Sequence, residues 1–240
     1  MVKKLTDFLF LKDSYLKEFE AVVETVTDNK FVVLNKCAFY PQGGGQPSDT
    51  GFLEKDGEKM PVVFAKKLGQ DISLEVENCS LKKGDVVNGT IDWDKRYKFM
   101  KMHSLSHVLS SVILSETGAL ITGNQLGFDK SRMDFNVENF DRALLESFEQ
   151  KTNEAIKKNA EIKIYFKKAE EVFKDEKLFR LKSVLPPSLK ELRIVEITGI
   201  DIQADGGTHV KNTSEIGIVK ITKLENKGKN NRRIYFEIVD

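Results

Sequence analysis

Every histidine of the chain falls in one of two short motifs. His103 and His107 bracket His-Ser-Leu-Ser-His, and His209 closes Asp205-Gly206-Gly207-Thr208-His209. On a helix, imidazoles at i and i+4 share one face, a common way to offer two nitrogen ligands to zinc. The second motif repeats that spacing with a carboxylate at one end. His103, His107, Asp205 and His209 are therefore a candidate ligand set for one Zn2+ per chain, with an oxygen as the fourth donor. An H-x-x-x-H pair alone is a weak signal, because helical histidines also decorate solvated faces or sit satisfied in a core. The glycine-rich second motif and the lack of histidines elsewhere favour a metal site.

These motifs need elements to hold them. Residues 97–114 read as a helix with Leu105, Val108, Leu109, Val112 and Ile113 as its apolar positions, and Gly118 marks its end. Residues 132–135 read as a strand, 137–159 as a second amphipathic helix offering Phe140, Leu144, Leu145 and Phe148, and 162–166 as another strand. A short helix over 168–175, a break at Pro186 and Pro187, and strands over 193–197, 216–221 and 233–238 complete this half. Residues 1–92 have a different grammar: short alternating runs at 19–26, 30–34, 61–65, 71–76 and 84–92, separated by turns. The expectation is an α+β chain, with a small β-barrel over 1–92 and helices on an antiparallel sheet over 93–240. Between the early strands lies Phe39-Tyr40-Pro41-Gln42-Gly43-Gly44-Gly45-Gln46-Pro47-Ser48-Asp49-Thr50-Gly51, read as an ordered loop. No Gly-Lys-Ser/Thr follows its glycines, so it is not a phosphate-cradling P-loop.

Composition narrows the class. The 240 residues carry 38 Lys plus Arg against 37 Asp plus Glu, so any nucleic-acid partner must be held by a local basic surface. No run approaches the roughly 18 apolar residues of a membrane span, and the charged N-terminus lacks the apolar core of a signal peptide. Cys37 and Cys79 have no motif spacing, which suits unpaired thiols in the cytoplasm.

Taken in order, these motifs resemble the AlaX-type alanyl-tRNA editing proteins, relatives of the editing domain of alanyl-tRNA synthetase. The resemblance runs through most of the chain. It rests on the segment from Tyr40 to Gly51, on His103-x-x-x-His107, and on Arg132-x-Asp134-Phe135. Gly206-Gly207-Thr208-His209-Val210, Asn212-Thr213-Ser214-Glu215-Ile216-Gly217 and Arg232-Arg233-Ile234 also fit. It implies hydrolysis of the ester on tRNA(Ala) carrying the wrong amino acid, chiefly serine, with glycine as a second candidate. The length suits a medium-length member acting in trans, without an aminoacylation domain. One position departs: the family usually has cysteine where this chain has Asp205. A carboxylate also binds zinc, and the retained Asp-x-x-x-His spacing makes ligation the first reading and activation of water the second. The alternative to the enzyme is a tRNA-binding relative impaired by this exchange. Zinc hydrolysis of a small ester or amide and threonyl-tRNA editing are the other readings that such motifs allow.

The implied chemistry makes Asp205 and Thr208 the candidate catalytic residues. A site that hydrogen-bonds the serine hydroxyl can refuse alanine, whose methyl leaves a buried polar group unpaired. Thr122, Asn124 and Gln125, expected in a loop after the metal helix, are candidates for that contact. Gly43, Gly44 and Gly45 are candidates to border the pocket. Lys95, Arg96, Lys98 and Lys101, with Lys227, Lys229, Arg232 and Arg233, are candidate phosphate contacts, and Tyr40 or Phe39 is read either as stacking on the terminal adenine or as part of the core.

Overall fold

The structure is a computed structural model that describes residues 6–138, 141–174 and 190–239. Phe140, Pro186 and Pro187 fall outside those residues. The chain is α+β and divides into two compact units, Met1–Lys98 and Phe99–Asp240. The dividing point lies inside the first long helix.

In the first unit, a two-residue strand β1 (Asp7–Phe8) pairs in parallel with β4 (Lys36–Cys37). The remaining strands are β2 (Glu18–Thr27), β3 (Phe31–Leu34), β5 (Gly51–Lys55), β6 (Glu58–Leu68), β7 (Asp71–Val76) and β8 (Val86–Ile91). They close a six-stranded barrel in the order β2-β3-β7-β6-β5-β8, every pair antiparallel. Closure leaves no open edge. Alternation along the strands sends Ala21, Val23, Val32, Leu34, Leu53, Val62, Leu74 and Val87 into one core. Phe39 and Tyr40 are buried in that core, which favours the core role over stacking on the terminal adenine. The glycine-rich loop is ordered. Gly43 and Gln46 exchange both backbone hydrogen bonds across a turn in which Gly44 and Gly45 have φ of 56° and 83°. Both central residues of that turn need the left-handed region, which glycine enters without steric cost. The Tyr40 hydroxyl donates to the Gly43 carbonyl at 2.9 Å.

The helix α1 (Trp93–Thr117) is longer at both ends than the apolar pattern predicts. In its first turns, Arg96 is fully buried. Its Nε is 3.0 Å from both Asp49 carboxylate oxygens, and its guanidinium also donates to the carbonyls of Ser14 (2.9 Å) and Ala38 (2.6 Å). This corrects the expectation of a phosphate contact: Arg96 is a structural cation whose charge is already matched.

The second unit has two antiparallel sheets. One has four strands: β9 (Ile121–Gln125), β10 (Ser131–Phe135), β14 (Ile218–Gly228) and β15 (Asn231–Val239), in the order β14-β15-β10-β9. The other joins β11 (Ile162–Lys168), β12 (Glu191–Ile197) and β13 (Asp201–Ala204). α2 (Arg142–Ile156) is shorter than expected, starting where the Asp141 side chain accepts from Leu144 N. α2 runs beside the edge strand β14. Asn153 accepts from Val219 N and donates to Val219 O, and Glu149 accepts from Ile221 N. α3 (Ala169–Val172) is a single turn.

Candidate metal centre

α1 brings His103 and His107 to one face, as their spacing requires, and both are buried. The strand β13 and the turn after it bring Asp205 and His209. The ligand atoms of His103, His107, Asp205 and His209 all lie within 4.8 Å of one another. The ring centroids are 4.5 Å apart for His103 and His209, 4.9 Å for His107 and His209, and 5.3 Å for His103 and His107. A tetrahedral zinc with roughly 2.0–2.2 Å bonds needs donor separations of about 3.4 Å. His103 Nε2 lies 3.5 Å and His209 Nε2 2.9 Å from the Asp205 carboxylate oxygens, which brackets that spacing.

The surroundings fix which atoms face the centre. His107 Nδ1 is 2.9 Å from an Asp201 carboxylate oxygen, so it is the donor there and Nε2 is left with its lone pair. Asp201 is held in turn by Gln203, whose amide donates to the same oxygen at 2.6 Å. Ser104 Oγ lies 3.1 Å from His209 Nδ1 and accepts from Val210 N at 3.2 Å. A hydroxyl both donates and accepts, so Ser104 can serve either tautomer of His209. His209 Nε2 lies 2.9 Å from the Asp205 carboxylate. Asp205 also accepts from Gly207 N at 2.6 Å, and its carbonyl accepts from buried Arg193 at 2.8 Å. Ser106 and Ser110 turn their hydroxyls back to the carbonyls of His103 and His107, which satisfies them within α1.

Gly207 is required by contact. A Cβ there would sit 1.9 Å from His103 Cε1 and 2.2 Å from its Nδ1. Thr208, between Gly207 and His209, is fully buried.

The electrostatics suit a cation. Burial pushes His103 down to about 4 and His209 well below its ordinary value, so both imidazoles are neutral at pH 7. Neutral imidazole is the form that binds metal. Burial opposes ionisation of Asp205. The neighbouring His103 and the hydrogen bond from His209 nevertheless hold its carboxyl well below the usual range. The cluster thus offers neutral imidazoles from His103 and His209, the Nε2 of His107 and one carboxylate, a donor set that fits a divalent metal.

The other expected residues are placed differently. Thr122, Asn124 and Gln125 belong to the strand β9, not to a loop. Thr122 and Gln125 are exposed, with hydrogen bonds to Asn231 and from Arg132 respectively. Gly43, Gly44 and Gly45 form the barrel-unit turn described above. Lys95, Lys98 and Lys101 are half-buried on α1, and Lys229 is exposed in the β14–β15 turn. Arg232 bonds the Asn226 side chain and the Gly228 carbonyl, while Arg233 pairs with both oxygens of Asp134 at 2.7 and 2.8 Å. Sequence reasoning missed Asp201, Ser104 and Arg193. The alternation Asp201, Gln203, Asp205 was the available signal for the first: three polar side chains on one face of a strand that ends at a ligand.

Comparison with known proteins gives consistent matches. Residues 192–235 match the family described as threonyl and alanyl tRNA synthetase second additional domain, and residues 7–95 match class II (A) tRNA synthetases. The chain is 52% identical to "Alanyl-tRNA editing protein AlaX-M" of Methanosarcina barkeri, covering 98% of this chain and 100% of that protein. It is 46% identical to the protein of the same name from Saccharolobus solfataricus, over 98% of this chain and 99% of the relative. It is also 37% identical to the alanine–tRNA ligase of Pyrobaculum aerophilum, over 90% of this chain but 25% of the ligase.

Proposed function

Because the chain belongs to the family of AlaX-M alanyl-tRNA editing proteins, we propose that it is a zinc-dependent deacylase of mischarged tRNA(Ala). Its main substrate is seryl-tRNA(Ala), with glycyl-tRNA(Ala) second, acted on in the cytoplasm after release from the synthetase. The reaction is ester hydrolysis. Water adds to the acyl carbon, the bond from that carbon to the ribose oxygen breaks, the ribose hydroxyl regains a proton, and the amino acid leaves as a carboxylate.

The observation that carries this reading is the convergence of Asp205 with the buried His103, His107 and His209 in one cluster. Zinc held there would supply a Lewis acid toward the ester carbonyl oxygen or water. His107 is oriented by Asp201, and His209 by Ser104. Asp205 either completes the ligand set or takes the proton of the attacking water, being the ionised group at the site. Thr208, in the same turn, is the second proposed catalytic residue. Gly43, Gly44 and Gly45, and the polar side chains of Thr122, Asn124 and Gln125, remain proposed substrate contacts. Lys95, Lys98, Lys101 and Lys229 are proposed to contact the RNA backbone.

The test is deacylation of seryl-, glycyl- and alanyl-tRNA(Ala) by zinc-loaded protein, with His103→Ala as control. Loss of serine, sparing of alanine and failure of the variant are expected. No hydrolysis at confirmed zinc occupancy, with activity restored by Asp205→Cys, would instead identify a tRNA-binding relative impaired at that position.

A further inference from the structure

The three-stranded sheet of the second unit carries the metal cluster on one face. Asp201 and Gln203 of β13 point to that face, and Asp205 continues the row just beyond the strand. Register extends the row sideways. Asp205 N donates to Arg193 O at 3.1 Å, and the Arg193 side chain returns to the Asp205 carbonyl, so the two residues are opposite each other on the same face. Arg193 is in turn the cross-strand partner of Phe166 on β11. Asp205, Arg193 and Phe166 therefore form one line across three strands. The ends of that line are about 10 Å apart, twice the interstrand spacing.

Exposure changes sharply along this line. Arg193 is 6% exposed, whereas Phe166, at the outer end, is 46% exposed. Tyr165, its neighbour in sequence, faces the other side of the sheet and donates its hydroxyl to Glu196. A large aromatic at the rim of a polar site, on the site's own face, is poorly explained by packing. It is well explained by the substrate. The ester to be cleaved sits on the terminal ribose of tRNA, and the terminal base is attached to that same sugar. Wherever the acyl carbon is held at the metal cluster, the base must lie one sugar ring away.

We propose that Phe166 is the stacking platform for the terminal nucleobase of the acylated RNA. This rests on the deacylase reading. It replaces Phe39 and Tyr40, which the barrel core has taken. An aromatic face accepts any base, so the contact positions the RNA end without reading sequence.

Two measurements test it. In deacylation kinetics, Phe166→Ala should raise the KM for mischarged tRNA about tenfold with kcat little changed, and Phe166→Trp should retain the wild-type KM. In binding, the indole introduced by Phe166→Trp should be quenched by uncharged RNA ending in a terminal adenosine, and much less by the same RNA lacking it. The native Trp93 gives the background signal. A fall in kcat at unchanged KM, or quenching indifferent to the terminal adenosine, would overturn the platform. If wild-type protein deacylates nothing, the proposed function fails, while adenosine-dependent quenching would still establish the stacking site.

Discussion

At the scale of single residues, the Asp201 carboxylate fixes which nitrogen of the candidate ligand His107 carries the proton. Asp201→Ala should weaken zinc binding about 10- to 100-fold in a chelator competition, with deacylation recovered at excess metal. An unchanged affinity would remove Asp201 from the centre. Gly207→Ala should be worse, because the added methyl would overlap the His103 ring, so metal binding should be lost at any zinc concentration. The acid behaviour of the metal-free protein has a calculable sign. His103 titrates near 4 when folded and near 6.5 when unfolded. Between those values the unfolded chain takes a proton that the folded chain refuses. His103 therefore costs no stability above about pH 6.5, and destabilises the fold as pH falls from there toward 4. Urea midpoints measured across that window should decline, and a flat profile would contradict the burial of His103. The four candidate ligands were legible because two equal spacings exhaust the histidines. Asp201 and Ser104 were not, since their partners are 94 and 105 residues away and no spacing encodes such a contact.

Among the elements, β14 shows how an edge is managed. Asn153 presents an amide to Val219 in the manner of a neighbouring strand, and Glu149 takes the next free N–H. This covers the start of the edge, at Val219 and Ile221, against pairing with another chain. Asn153→Ala should cost about 1–3 kcal/mol in urea unfolding, because two backbone groups lose their partner. Nothing in the alternation of β14 announces this, since the groups involved are backbone. The barrel strands were readable where alternation was strong, as in β2, β3, β7 and β8. β5, β9 and β13 escaped notice for a shared reason. They are short, and Gly51, Gly123 and the polar row from Asp201 interrupt the apolar period that marks a strand. α1 was readable but underestimated. It buries His103, Ser104, Ser106, His107 and Ser110 as well as its apolar residues, so its polar face looks solvated in sequence while facing the site in the fold.

For the whole molecule, a net charge of +1 leaves RNA binding to local cations. Replacing Lys98 and Lys101 by alanine should weaken tRNA binding and make it less sensitive to salt, by about one unit in the log–log slope per lost contact. Arg96→Ala should leave that slope unchanged and instead destabilise the barrel unit by about 3–5 kcal/mol, since Asp49 would remain buried without its cation. Among the described residues, no helix is long and apolar enough to cross a membrane. Both thiols of the chain, Cys37 and Cys79, belong to the barrel unit. Burial pushes Cys37 up to about 12, far from its reactive form. The candidate donors of the proposed metal centre are three imidazoles and a carboxylate, and none of them is a sulfur that peroxide can oxidise. If Asp205 is the fourth ligand of the proposed centre, metal retention and editing should survive peroxide doses that strip zinc from a cysteine-ligated centre. Oxidative stress would then leave this proofreading step running.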